Sequence, residues 1–269
     1  MLIDTHCHLD AEEFAADRDA VVAGALAAGV SLIVVPGVAT GSFAALHDCC
    51  VRHAACVPAY GIHPLYVDHA EEADLATLRE WLLRESAGPH PPVALGEIGL
   101  DFFVAGFDAA RQEHFFVEQL KIARDLGLPV LLHVRRAQDA ILKQLRRVFG
   151  KHAGPGGIAH AFNGSHQQAQ AFIDLGFKLG FGGAMTFSGS LRIRELAANL
   201  PLAAIVLETD APDMPPAFIG HARNSPENLP RIAAVLADLR GIPIDEVCAA
   251  TSANARSALP GLALYDIHP

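Results

Sequence analysis

The sequence predicts one α/β domain over residues 1–269, an eight-stranded parallel (β/α)8 TIM barrel. Eight apolar, strand-like runs alternate with helical stretches, and no Ser/Gly-rich linker or composition break divides them. Such alternation demands parallel strands joined by right-handed crossovers, and eight repeats close economically into a barrel. The rival is an open doubly wound sheet, but no Gly-x-Gly-x-x-Gly opens a helix after any strand. Polar residues supply the third observation. Glu97, His133, His160 and Asp210 each fall at the C-terminal end of a strand-like run, the end at which barrel active sites are built.

The first run, Leu2-Ile3-Asp4-Thr5-His6-Cys7-His8, reads as a strand. Period-two alternation puts Asp4, His6 and His8 on one face and Ile3, Thr5 and Cys7 on the other. A helix over residues 17–28 stops at Gly29, as at a C-terminal cap. Residues 31–36 are a continuous apolar run, the mark of a strand covered on both faces. Residues 43–53 read as helix and 55–61 as the third strand, which leads into Gly61-Ile62-His63-Pro64. A polar-faced helix over 71–86 carries the only tryptophan, Trp81. The fourth strand, 93–97, runs on into Ile98-Gly99-Leu100-Asp101. Residues 108–126 form the longest helix, closed by Gly127. Strands five and six, 129–133 and 157–160, flank a helix over 137–149. Ser165 caps a helix reaching residue 175, and 177–183 is the seventh strand. After a helix over 191–199, residues 204–210 make the eighth strand. A long loop then leads to helices over 226–239 and 245–258.

Hydrophobic content of 51% and charged content of 19% supply a large core and exclude wholesale disorder. Lys plus Arg number 20 against 30 Asp plus Glu, a net charge of −10, which argues against a broadly basic, nucleic-acid-coating surface. A local phosphate site neutralised by cations stays open. Cys7, Cys49, Cys50, Cys56 and Cys248 are odd in number and contain no Cys-x-x-Cys, so neither a disulfide framework nor a thiolate zinc site is indicated. Residues 20–46 lack charge, but Gly24, Gly29, Pro36 and Gly37 interrupt them, so they divide into helix, turn and buried strand instead of a membrane span. With no room for a signal peptide before the first strand, the expectation is a cytoplasmic protein with no membrane association and no obligate protein partner.

Taken singly, each polar strand end has a structural explanation; His133 could bond a carbonyl in the core, and Asp210 could cap a turn. Together at one barrel mouth they point to a metal centre. A carboxylate such as Glu97, ending an apolar strand between glycines, is costly unless paired or metal-bound. The expected arrangement holds two divalent ions: His6, His8 and Asp210 on one, His133 and His160 on the other, Glu97 bridging. Ions about 3.5–4 Å apart can share a hydroxide and clamp an ester oxygen. Mixed nitrogen and oxygen donors without thiolate leave zinc, manganese and magnesium open.

The chain also resembles the TatD family of metal-dependent hydrolases, within the amidohydrolase-like barrels. The resemblance rests on Ile3-Asp4-Thr5-His6-Cys7-His8-Leu9-Asp10, Gly61-Ile62-His63-Pro64, Gly96-Glu97-Ile98-Gly99-Leu100-Asp101 and Leu131-Leu132-His133. It continues with His160-Ala161-Phe162-Asn163-Gly164, Leu207-Glu208-Thr209-Asp210-Ala211-Pro212 and Arg223-Asn224-Ser225-Pro226. These blocks span essentially the whole chain. The resemblance implies a metal-bearing barrel with phosphodiesterase activity on DNA, reported as 3′ trimming of strands. It maps ligands onto His6, His8, Glu97, His133, His160 and Asp210, with His63 and Glu208 close by. Val134 and Arg135 depart from the family, where a small polar residue commonly follows the histidine, and Asn163 stands where Ser is frequent.

The mechanism expected is attack on phosphorus by a hydroxide shared between the ions, with Asp210 as ligand and proton acceptor and Glu97 as the bridging group. Glu208 and Asp4 support the ligands from a deeper layer. His63, Arg223 and Asn224, on loops at the same mouth, could hold phosphate. Arg135 and Arg136 line the rim or face water; Lys143, Arg146 and Arg147 read as a solvated face, and Cys7 as buried and inert. No aromatic-rich groove for base stacking is apparent. Two alternatives remain: an amidohydrolase acting on a small ester, lactone or amide, since fold does not fix function, and a non-catalytic metal-binding protein. The absence of a lysine near Glu97 disfavours a lysine-bridged amidohydrolase.

Overall fold

Eight strands, all parallel, pair in chain order in the computed structural model, which describes residues 1–150 and 154–265. They are β1 (Leu2–Asp4), β2 (Val30–Pro36), β3 (Cys56–Tyr60), β4 (Ala94–Asp101), β5 (Val130–Arg135), β6 (Gly157–Ala159), β7 (Phe177–Phe181) and β8 (Ile205–Leu207). Between and after them lie α1 (Arg18–Ala27), α2 (Phe43–Arg52), α3 (Glu72–Ser86), α4 (Ala109–Leu126) and α5 (Gln138–Phe149). The series continues with α6 (His166–Asp174), α7 (Leu191–Asn199), α8 (Leu229–Arg240) and α9 (Ile244–Ala258). This is the expected (β/α)8 barrel.

The two end strands are shorter than the alternation predicts. A bend at Thr5 ends β1, and Asp210 adopts a left-handed φ of 56° beyond β8, a conformation that Asp tolerates better than most residues. The seam between the first and last strands is closed by these extensions. Thr5 N donates to Leu207 O at 3.1 Å, Asp210 N to His6 O at 2.8 Å and His8 N to Ala211 O at 2.8 Å. A parallel bridge pairs Cys7 with Ala211.

Local chemistry explains the boundaries. The Asp108 carboxylate accepts from Ala110 N and Arg111 N at the start of α4, and Gly127 ends that helix at φ 67°. Ser165 and Gln168 form a reciprocal capping box on α6. The uncharged stretch is divided between α1 and β2, and among the described residues no helix is long and apolar enough to cross a membrane.

Two apolar layers result. Ile3, Leu32, Val34, Val57, Ala59, Leu131, Ile158 and Val206 make one cluster, and Ala255, Ala258, Leu259 and Leu262 from α9 and the turn after it join that cluster. Asn254 ties α9 to the barrel by donating to Leu202 O and Ile205 O, both at 2.8 Å. The larger layer lies between strands and helices, with Phe43, Leu78, Phe116, Leu120, Ile141, Phe172 and Leu236 in it. All five thiols are free, and Cys7 is fully buried.

Candidate metal centre

Glu97 owes its position to a one-residue slip in the sheet. Leu95 pairs with Val130 but Ile98 with Leu132, so β4 spends three residues where β5 spends two. Such a bulge bends the strand and re-aims a side chain. Beyond it, Gly99 pairs with His133. Gly99 sits at φ 153°, and a Cβ there would lie 2.0 Å from His133 O, so only glycine lets β4 and β5 approach at the mouth.

The Glu97 carboxylate is 1% exposed and faces histidine on every side. Oε2 lies 3.1 Å from His6 Nε2 and 3.4 Å from His8 Nε2. Oε1 lies 2.8 Å from both His133 Nδ1 and His160 Nε2. The structure thus divides the two oxygens between the two histidine pairs. Asp210 Oδ1 completes the first group at 3.7 Å from His6 Nε2 and 3.8 Å from His8 Nε2. Its side chain is 17% exposed and that of His8 20%, so the first group opens to solvent at these two residues.

These residues fit divalent ions on donor chemistry and spacing alike. His6 Nε2 and His8 Nε2 are 3.3 Å apart, and His160 Nε2 and His133 Nδ1 are 3.4 Å apart. Nitrogen and oxygen ligands about 2.0–2.2 Å from one tetrahedral ion are separated by roughly 3.3–3.6 Å, close to the separations in the first group. Lone pairs crowded this tightly on a carboxylate repel unless positive charge lies among them. Among the described residues, His6, His8 and Glu97 form one group able to hold an ion, His6, His160 and Asp210 a second, and His63, Glu97 and His133 a third.

Ion-free, the cluster holds its positive charge as protons. Burial opposes charge on His160, but the Glu97 carboxylate overrides it and lifts its pKa to about 10. His8 follows the same balance, burial against Glu97, to about 9. His6, packed ring on ring against His160 at 3.9 Å, is driven by burial down to about 3. Burial also raises Asp210. For Glu97, burial raises the pKa, but the surrounding imidazoles outweigh it and hold the carboxylate well below its ordinary range.

Deeper groups orient the ligands. Glu208 is buried beneath His160, its Oε1 3.9 Å from His160 Nδ1 and accepting from Ala161 N. Burial pushes its pKa to about 8. Gly180 leaves the space it needs: a Cβ there would lie 2.1 Å from Glu208 Oε2. Asp4 acts on backbone. Its Oδ1 accepts from His6 N at 3.2 Å and Thr209 N at 3.0 Å, and its Oδ2 from Thr209 Oγ1 at 2.5 Å. It therefore clamps the two ligand-bearing segments across the seam, with its pKa raised by burial to about 7.

One site residue was not picked out from sequence. Asp101 Oδ2 accepts from His133 Nε2 at 3.0 Å. Desolvation opposes its charge, yet the bonds from His133, Val104 and Phe103 bring its pKa down to about 2. As a carboxylate it only accepts, so His133 Nε2 carries a proton and Nδ1 is the nitrogen left to ligate an ion. Without one, burial opposes charge on His133, but the bonds to Asp101 and Glu97 outweigh it and raise its pKa. The signal was present in the alternation: beyond the bulge, Asp101 shares the face of Glu97.

His63 comes closer than a loop position suggests. Its Nε2 lies 3.4 Å from Glu97 Oε1 and 3.1 Å from His133 Nδ1. Proximity alone would admit it as a ligand. However, its Nδ1 accepts from Leu65 N at 3.1 Å, which leaves the proton on Nε2 and makes that atom a donor. Arg223 and Asn224, expected to reach phosphate, are committed elsewhere. Arg223 grips Asp17 through both terminal nitrogens, donates to Glu13 O and lies over the Phe14 ring. The fully buried Asn224 carboxamide donates to Thr209 O and Asp213 O, holding the loop behind Asp210 in place.

The loops at the mouth carry exposed aromatic residues. Most phenylalanines are buried, but Phe102 and Phe103 on the loop after β4 are 41% and 47% exposed, with Tyr66 after β3 and Phe187 after β7 also exposed. These residues are scattered in sequence, on loops that follow the C-terminal ends of three different strands.

A mouth of histidines and carboxylates on a (β/α)8 barrel defines a metal-dependent hydrolase, and the comparisons agree. The family profile described as TatD related DNase matches residues 3–260, and the chain belongs to that family. An uncharacterized metal-dependent hydrolase of Escherichia coli K12, YjjV, is 40% identical over 253 residues, covering 94% of this chain and 95% of that protein. The E. coli K12 3′-5′ ssDNA/RNA exonuclease TatD is 32% identical over 261 residues, covering 95% and 98%. The crystal structure of YjjV superposes with a TM-score of 0.90 at 38% identity, covering 96% of this chain and 98% of that one.

Proposed function

We propose that this hydrolase cleaves phosphodiester bonds of single-stranded DNA from the 3′ end, with two divalent ions held as the sequence suggests. The observation that carries the reading is Glu97, whose two oxygens face two separate histidine pairs. The exonuclease named among its relatives, similar over nearly its whole length, supports the substrate class.

His6, His8, Asp210 and Glu97 would hold one ion, and His133, His160 and Glu97 the other. Bound ions supply Lewis acidity toward phosphoryl oxygens and ionise water near neutral pH. The protein's own groups do the remainder. Asp210, at the solvent opening and raised by burial, accepts the proton of the attacking water. His63 Nε2 donates a hydrogen bond to a non-bridging phosphate oxygen, where charge grows in the transition state. Asp101 fixes the ring plane of His133 through its bond to Nε2, and the buried Glu208 lies beneath His160 as a nearby carboxylate.

The test pairs metal analysis of purified protein with degradation of end-labelled single strands in defined ions, beside simple esters and lactones. Two ions per chain and loss of nucleotides from the 3′ end are expected. Glu97→Ala should lose both ions and all hydrolysis while keeping its far-ultraviolet circular dichroism. Turnover of esters but of no nucleic acid would overturn the substrate, and a variant still binding two ions would overturn the bridge.

A further inference from the structure

The loop after β4 is built as an extension of the metal centre. Asp101, whose Oδ2 holds His133, uses Oδ1 to accept from Phe103 N at 2.8 Å and Val104 N at 3.0 Å. Phe102 N donates to Arg135 O at 2.9 Å. One carboxylate therefore fixes both a candidate ligand and the turn two residues beyond it. On that fixed turn sits a phenylalanine ring left 47% exposed, beside Phe102 at 41%. Arg135 places its guanidinium carbon 4.0 Å from the Phe103 ring centroid and Arg136 places its own at 4.6 Å.

Arg136 has no anionic partner among the described residues, and Arg135 has one long pair. Among the described residues no carboxylate lies within ion-pair distance of Arg136. Arg135 reaches only Asp101, at 3.9 Å, and that oxygen is already bonded to His133. Arg136 also holds a left-handed φ of 54°; for a residue other than glycine this costs about 1–2 kcal/mol. In a chain of net charge −10, two adjacent guanidiniums over an exposed ring, one with no ion pair among the described residues and one with a single long pair to Asp101, are a localised feature at the mouth, not a general surface property.

We infer that Phe103 with Arg135 and Arg136 forms a nucleotide subsite, in which the ring takes a nucleobase flanking the scissile bond and the guanidiniums take the adjacent phosphate. This rests on the nucleic-acid reading above and deepens it. The chemistry matches single strands, whose unpaired bases stack on aromatic rings while arginine holds the backbone. Asp101 couples this subsite to His133, so a base seated on Phe103 brings its phosphodiester to the metal ligands in a fixed register.

The experiment compares short single-stranded oligodeoxynucleotides, in the metal-loaded protein, with intact bases or with one abasic tetrahydrofuran residue on either side of the scissile bond. Stacking worth about 1–3 kcal/mol per base predicts that the intact strand exceeds the better-placed abasic probe by about 5- to 150-fold in kcat/KM. Phe103→Ala should reduce that ratio to within about twofold, and Phe103→Trp should restore it. Arg136→Gln should flatten the dependence of log kcat/KM on log salt by about 0.7. A wild-type ratio near one at both positions overturns the subsite. So does a Phe103→Ala protein that loses activity equally on all probes, whether or not its metal content falls. If no strand is cleaved while a simple ester is, the nucleic-acid reading has failed and takes the subsite with it, a result distinct from cleavage without base discrimination.

Discussion

Replacing Asp101 with Asn changes one heavy atom and reverses the polarity of one hydrogen bond. Two backbone donors, Phe103 N and Val104 N, face Oδ1 and hold that position for an acceptor. The new amide NH2 must therefore occupy the Oδ2 position, 3.0 Å from His133 Nε2. Two donors cannot face each other, so His133 adopts its other neutral tautomer: Nε2 accepts and Nδ1 takes the proton. Nδ1 is the atom turned toward Glu97 at 2.8 Å, and a protonated nitrogen cannot bind a metal. Losing a charge-assisted hydrogen bond costs about 1.5–3 kcal/mol. Loss of a carboxylate that orients a ligating histidine weakens metal affinity about 10- to 100-fold, or roughly 1.4–2.7 kcal/mol. The two routes agree. Calorimetric titration of metal-free protein should show binding at the His133–His160 group weakened by that factor, with binding at the His6–His8 group little changed. Unchanged affinity at both sites would refute the tautomer assigned to His133.

His63→Ala should preserve metal content and lower kcat/KM by about 100- to 1,000-fold, as for removal of one transition-state donor; loss of an ion would instead make His63 a ligand. Gly180→Ala pushes a methyl against Glu208 Oε2 and should lower stability by about 1–3 kcal/mol, seen as a reduced Tm, with weaker metal binding through His160. Metal binding should strengthen with pH. The ion-free pKa values of His8 and His160 are raised to about 9 and 10, and ligation requires neutral rings, so binding releases protons at pH 8 and the dependence levels off above about pH 10. Calorimetry in buffers of different ionisation enthalpy reads that release directly; binding at pH 8 without proton release would contradict it.

The barrel was legible because its evidence is periodic. Each strand carries its own apolar run, and caps such as Ser165, Asp108 and Gly127 mark the helices locally. The six candidate ligands were legible because they cluster at strand ends. What escaped depends on contacts between distant segments. Whether Arg223 meets phosphate or Asp17 depends on where the turn after β1 docks. The proton on His63 Nε2 depends on the Leu65 amide, and the rim aromatics come from three separate loops. Asp101 was the exception, readable from its shared face with Glu97 but masked by the motif around it.

The seam between β8 and β1 has a consequence for biosynthesis. His6 and His8 leave the ribosome first, and Asp210 follows about two hundred residues later. At roughly 5–20 residues per second, that interval lasts about 10–40 s. Throughout it, on the ligand set proposed above, His6 and His8 lack both Asp210 and the β8 segment whose backbone bonds to theirs, so that group is complete only once β8 has been made.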